Sequence, residues 1–127
     1  MKRHLLTACM LAALALALPS LALASGPADG TYKAKIATPA QLKGTWSLSF
    51  AKGGAYTIAQ GSKVVVRGHS LSVAPQIKFA KETGPLACTS PGYYNFKRSG
   101  QTLSFKKLSD SCGGRALILA HRFTLAA

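Results

Sequence analysis

Few residues in this chain can do chemistry. Beyond residue 24 the sequence holds two cysteines, Cys88 and Cys112, two histidines, His69 and His121, and three carboxylates, Asp29, Glu82 and Asp110. General acid–base work by carboxylates needs a close pair, and these three are far apart in sequence. A metal site drawn from histidine, cysteine and aspartate is hard to assemble from so few and so scattered ligands. No G-x-S-x-G elbow and no phosphate-cradling glycine loop is present. The residue inventory therefore argues against an enzyme and calls for no metal and no cofactor.

The first residues have a different character. "MKRHLLTACMLAALALALPSLALA" opens on Lys2, Arg3 and His4 and continues as an apolar run rich in Leu and Ala. Pro19 breaks that run, and Ala22 and Ala24 place small residues where a signal peptidase reads. Residues 1–24 are thus expected to be a secretory signal peptide, leaving 25–127 as one domain in the periplasm or outside the cell. An uncleaved anchor is disfavoured by Pro19 and by the lack of basic residues after the run. A lipoprotein box ending at Cys9 is disfavoured because the apolar core follows that cysteine.

In an exported domain an even pair of cysteines reads as one disulfide, Cys88 to Cys112. Such a bridge stabilises by about 3 kcal/mol in the chain-entropy picture. Two free thiols are the alternative, and a metal site is a weaker one.

The elements that must position these residues follow a period of two rather than 3.6. Tyr32, Ala34 and Ile36 alternate with Lys33 and Lys35, and Trp46, Leu48 and Phe50 alternate with Thr45, Ser47 and Ser49. "TPAQLK" between them reads as one helical turn with Pro39 at its start. Lys52-Gly53-Gly54 turns the chain into "AYTIAQ". "KVVVRGHSLSV" changes parity around Gly68, where a bulge would absorb the slip. "QIKFAKE" points Ile77 and Phe79 inward. "GYYNFKRS" and "TLSFKKL" form a hairpin with Tyr94, Phe96, Leu103 and Phe105 on one face. "RALILA" reads as a helical turn, and "HRFTLAA" closes the chain.

Eight sequential antiparallel strands dispose of their edges best by closing on themselves. The expected fold is all-β, an eight-stranded antiparallel up-and-down barrel with one disulfide; a two-sheet sandwich is the alternative. Counting strand directions puts both cysteine loops at the same end of the barrel, within reach of a disulfide.

"KGTWSLSF" has Gly44 and Trp46 in a glycine-any-tryptophan arrangement just after a helical turn. Here the sequence resembles the lipocalin-like, or calycin, barrels. The resemblance implies that Trp46 closes one end of a barrel and that Arg122 or Arg115 stacks over its indole as a cation on a ring face. A late pattern, Cys88, Gly92, Tyr93, Leu103, Asp110, Cys112, Gly114 and Arg115, is similar to that of small secreted bacterial lipocalin-like proteins. A strand ahead of the tryptophan motif and a shorter chain depart from lipocalins proper.

The same parity places Lys81, Lys107, Arg115 and His121 around the cysteine-bearing mouth. Beneath them lies an apolar interior that includes Tyr56, Phe79, Tyr94 and Phe105. That arrangement suits a small anionic amphiphile, tail inside and acid group at the mouth; a fully packed interior is the other reading.

The chain carries a formal net charge of +13, which favours anionic partners. Outward lysines interleaved with Tyr93 and Asn95 suit a second role, binding polyanions such as lipopolysaccharide or a membrane surface. Nucleic acid is disfavoured because no stacking platform appears. A lysozyme-inhibitor-like role ranks last, because lysozyme is itself basic.

Overall fold

A computed structural model describes residues 26–126. The expected signal peptide lies outside the described residues. The chain forms β1 (Gly30–Ile36), β2 (Gly44–Phe50), β3 (Ala55–Gln60), β4 (Lys63–Val73), β5 (Gln76–Thr83), β6 (Gly92–Ser99), β7 (Thr102–Ser109), a short helix α1 (Gly113–Leu119) and β8 (Phe123–Leu125). The strands pair in sequence order, and β8 pairs back onto β1, so the sheet is a closed eight-stranded antiparallel up-and-down barrel. Closure leaves no free edge, which is why alternation rather than amphipathic helix dominates the sequence.

The alternation is read out directly. Tyr32, Ala34 and Ile36 of β1, and Trp46, Leu48 and Phe50 of β2, are all buried, and Tyr32 lies opposite Leu48 in the β1–β2 register. The interior is tightly filled with rings. Phe79, 0 % exposed, has the rings of Tyr56, Tyr94, Phe105 and Phe50 around it at 5.1, 5.7, 5.7 and 6.4 Å. Edge-to-face contacts of this kind add to the area each ring buries.

One end of the barrel carries the β1–β2 connection, with a 3-10 turn at Ala40–Leu42, the 84–91 loop and α1. Trp46 lies near this end, fully buried, and donates from Nε1 to the carbonyl of Leu42 at 2.6 Å. The helical turn expected at 115–120 is a seven-residue helix starting two residues earlier, and the final strand is three residues long rather than seven. Segment 26–29 crosses the opposite end, where the carbonyl of Ala28 accepts a hydrogen bond from the Tyr32 hydroxyl at 3.0 Å.

Three bulges adjust the register. In β4 the extra residue is Val65, since Ile58 pairs with Val66 and Ala59 with Val64. As a result Val65 and Val66 are both buried, where strict alternation would bury only one. Between β4 and β5 the pairing steps from His69–Ala80 to Arg67–Thr83. The one extra residue is therefore on β5, where Lys81, which has φ of 54°, and Glu82 together face Gly68 of β4. In β7 the extra residue is Leu108, because Tyr94 pairs with Lys107 and Tyr93 with Ser109. An inserted residue reverses which face the following side chain meets, and this decides what sits at the cysteine end.

Candidate functional site

The two bulges on β5 and β7 each precede a buried acid. Past Lys81 the next side chain, Glu82, turns inward; past Leu108 the inward position falls to Asp110. Their side chains are 1 % and 0 % exposed, and between them lies Arg115 of α1, whose side chain is 2 % exposed. Arg115 donates from Nε to Asp110 Oδ2 at 2.7 Å, and from Nη2 to Asp110 Oδ1 and to the Ser90 carbonyl, both at 2.8 Å. Its Nη1 lies 3.1 Å from Glu82 Oε2 in an ion pair that lacks hydrogen-bond geometry.

Each carboxylate has two further donors. The Tyr56 hydroxyl and the Cys88 amide donate to Glu82, the amide at 2.9 Å. The Tyr94 hydroxyl and the Cys112 amide donate to Asp110, the amide again at 2.9 Å. Buried charges persist only when paired and fully hydrogen-bonded, and this cluster meets that condition for both acids. The Cys88–Cys112 disulfide is formed, with Cα atoms 6.1 Å apart, so the acids brace the two loops that the sulfurs join.

The cluster sets the protonation of its members. Burial pushes the Asp110 carboxyl up, but hydrogen bonds from Arg115, Tyr94 and the Cys112 amide, together with the Arg115 charge, leave it below its ordinary value. Burial would lower Arg115; its hydrogen bonds to Asp110 and the charges of Glu82 and Asp110 more than reverse this, so it stays protonated. Burial first, then the hydrogen bond to and charge of the adjacent carboxylate, push the phenols of Tyr56 and Tyr94 far above the usual tyrosine range.

Two glycines make room for the cluster. A Cβ on Gly92 would lie 2.5 Å from Asp110 Oδ2 and 2.8 Å from Arg115 Nε, and a Cβ on Gly68 would lie 2.5 Å from the Tyr56 ring. Gly68, which faces the β5 bulge, is thus needed for close approach.

These contacts redistribute the residues expected at the mouth. Arg115 is internal and neutralised rather than a free cation over an opening. Lys81, turned by its bulge, and Lys107 are exposed, and His121 is half-buried with Nδ1 2.9 Å from the Leu117 carbonyl oxygen. Tyr56, Phe79 and Tyr94 are buried in the packed interior, and Phe105 is half-buried against Phe79 and Phe123. Gly44 starts β2 with φ of 136°, and Arg122 is exposed just before β8. Among the described residues the cations over rings are Lys78 on Tyr93 at 5.8 Å and Arg98 on Tyr32 at 6.0 Å; the expected stack of Arg115 or Arg122 on Trp46 is not among them.

Glu82 and Asp110, far apart in sequence, meet here around Arg115. The signal that would have found them is scarcity. Two of the three acids after residue 24 flank the cysteine loops, and an arginine follows three residues after Cys112.

The exterior has the opposite character. Every Lys and Arg among the described residues except Arg115 is exposed or half-buried, and Asp29 is the one exposed side-chain carboxylate there. Across β4, β5 and β6 the register aligns Leu71, Lys78 and Tyr93 on the outer face, and the next row aligns Val73, Gln76, Asn95 and Lys106 of β7. Leu71 and Val73 are 62 % and 82 % exposed. Apolar and cationic side chains thus share one outer face.

Among the described residues no three His, Cys, Asp or Glu side chains gather as a metal site would require, and no helix is long and apolar enough to cross a membrane. The chain matches no family model, no curated protein and no solved structure.

Proposed function

We propose that this is an exported, non-enzymatic binding protein of lipocalin-like type that docks through its outer face on an anionic envelope surface of phosphate-bearing lipid. One observation carries the reading. Glu82 and Asp110 are withdrawn into the cluster around Arg115, so the exterior is left almost wholly cationic. Cations near an anionic lipid surface contribute about 1 kcal/mol each. Leu71, Val73 and Tyr93 beside Lys78 and Lys106 supply apolar and amphipathic groups for the headgroup layer. Packing of four rings around Phe79 weighs against the other reading, in which an acyl tail enters the barrel.

Co-sedimentation with vesicles tests this. Phosphatidylglycerol vesicles should bind the protein and phosphatidylcholine vesicles should not, and binding should fall steeply with added salt. The double variant Lys78→Glu, Lys106→Glu should weaken partitioning by at least about tenfold. Equal binding to both lipids, or binding indifferent to salt, would remove the proposal.

A further inference from the structure

The outer wall of β4 and β5 carries a small depression of about 120 Å³, lined by His69, Leu71, Lys78, Ala80 and Lys81. The register explains which residues meet there. His69 lies opposite Ala80 and Leu71 opposite Lys78, so four outward positions form a square with the short Ala80 at one corner. Lys81 joins them through the β5 bulge. Strict alternation from Phe79 would turn Lys81 inward and Glu82 outward; the bulge exposes Lys81 and sends Glu82 to Arg115. One extra residue thus removes an acid from the outer wall and adds a cation.

Lys81 adopts φ of 54°, and among the described residues it is the one non-glycine with positive φ. That conformation is costly for a residue with a Cβ, and such residues cluster at binding sites. No carboxylate lines the depression, which leaves two lysines and a histidine around it. His69 Nε2 lies 2.7 Å from the Gly53 carbonyl oxygen, which fixes the ring, and Lys78 Nζ stands 5.8 Å from the Tyr93 ring centroid on the docking face.

We infer that this depression receives the phosphomonoester headgroup of a membrane lipid, with Lys78 and Lys81 supplying the countercharge and His69 bordering it. The inference deepens the docking reading above and rests on it. Size and charge choose the class. The space holds a few waters but falls well below the roughly 300 Å³ at which pockets take whole small molecules, so it suits a terminal oxyanion and not an acyl chain. A phosphomonoester carries a charge of about −1.5 to −2 near neutral pH and three acceptor oxygens, against a single charge on a phosphodiester. Two lysines with no acid between them gain more from the former. Leu71, at the rim and 62 % exposed, supplies an apolar contact beside it.

Vesicles of phosphatidylcholine doped with phosphatidic acid or with phosphatidylglycerol, matched in zeta potential, separate this subsite from general attraction. Phosphatidic acid vesicles should bind the protein at least about fivefold more tightly. Lys81→Gln should bring that preference close to unity. Lys106→Gln, one row away on the same face, should weaken both lipids alike and leave the ratio unchanged. Lys81→Gly should also lose the preference yet melt no lower than the parent protein, because glycine accepts positive φ freely; a lower melting temperature would show that Lys81 serves the fold instead. Equal binding of the two lipids would overturn the subsite while docking itself stands, and absence of binding to either would remove both. A preference that survives in Lys81→Gln would place the phosphate elsewhere. Saturable binding of glycerol 3-phosphate below about 0.1 mM would make a soluble phosphate the ligand and overturn the lipid source.

Discussion

Glu82 and Asp110 stand on either side of one guanidinium, and each holds the backbone amide of one half of the disulfide at 2.9 Å. The two strand ends are thereby tied twice, once by sulfur and once through Arg115. Stability at the cysteine end rests on this double tie, and the predictions below separate its parts.

Replacing Arg115 with methionine keeps volume and removes the charge. Two acids are then left buried without their counterion, a change that typically costs about 3–5 kcal/mol. Urea unfolding should show a loss of that order. Adding Asp110→Asn to the variant should recover part of it, since one uncompensated charge is removed. A shift under about 1 kcal/mol for Arg115→Met would mean the cluster contributes little.

Gly92→Ala should destabilise by about 1–3 kcal/mol, because its Cβ meets Asp110 and Arg115 at distances that force the cluster apart. Gly113→Ala is the control. It lies in α1 with open space at the Cβ position and no positive φ, so it should be neutral or stabilising by up to about 1 kcal/mol. Thermal melts of the two variants give the comparison.

Asp110 sets the acid limb. Its folded-state pKa is below the ordinary 3.8, so its contribution is complete above that pH and is lost as pH falls through the folded value. Stability measured against pH should therefore drop below about pH 4. In Asp110→Asn that limb should be shallower, with lower stability at neutral pH. A variant with the same acid limb as the parent protein would show that another group governs it.

Opening the disulfide removes a constraint on residues 24 positions apart. The loop-closure relation gives about 3–4 kcal/mol for that span. Unfolding midpoints with and without reductant, or for Cys88→Ala with Cys112→Ala, should differ accordingly. A loss well under about 2 kcal/mol would indicate that Glu82, Asp110 and Arg115 hold the two loops without it.

Much of the architecture was readable from residue order. Tyr32, Ala34 and Ile36, then Trp46, Leu48 and Phe50, announce inward faces by alternation, and strand direction alone brings Cys88 and Cys112 to one end. The parity argument failed at Lys81, for a physical reason; Lys107, which precedes the β7 bulge, keeps its place opposite Tyr94 and is exposed near the strand end. A single extra residue in a strand leaves no compositional mark, yet it exchanges the faces of everything after it. Counting on from Phe79 put Lys81 inside, where the bulge instead delivers Glu82. Counting on from Phe105 gave no inward place to Asp110, which reaches Arg115 only because Leu108 is skipped by the register. With both acids misplaced, Arg115 looked like an open cation when it is the centre of a closed cluster.

The strand that completes the cylinder is its shortest. Residues Phe123–Leu125 hydrogen-bond to β7 on one side and β1 on the other, through two residue pairs on each. A chain made only as far as α1 is consequently an open sheet with two unpaired margins, and the ring exists only once its last few residues are in hand. Any clipping near its tail turns a sealed surface into one that can stitch to its neighbours.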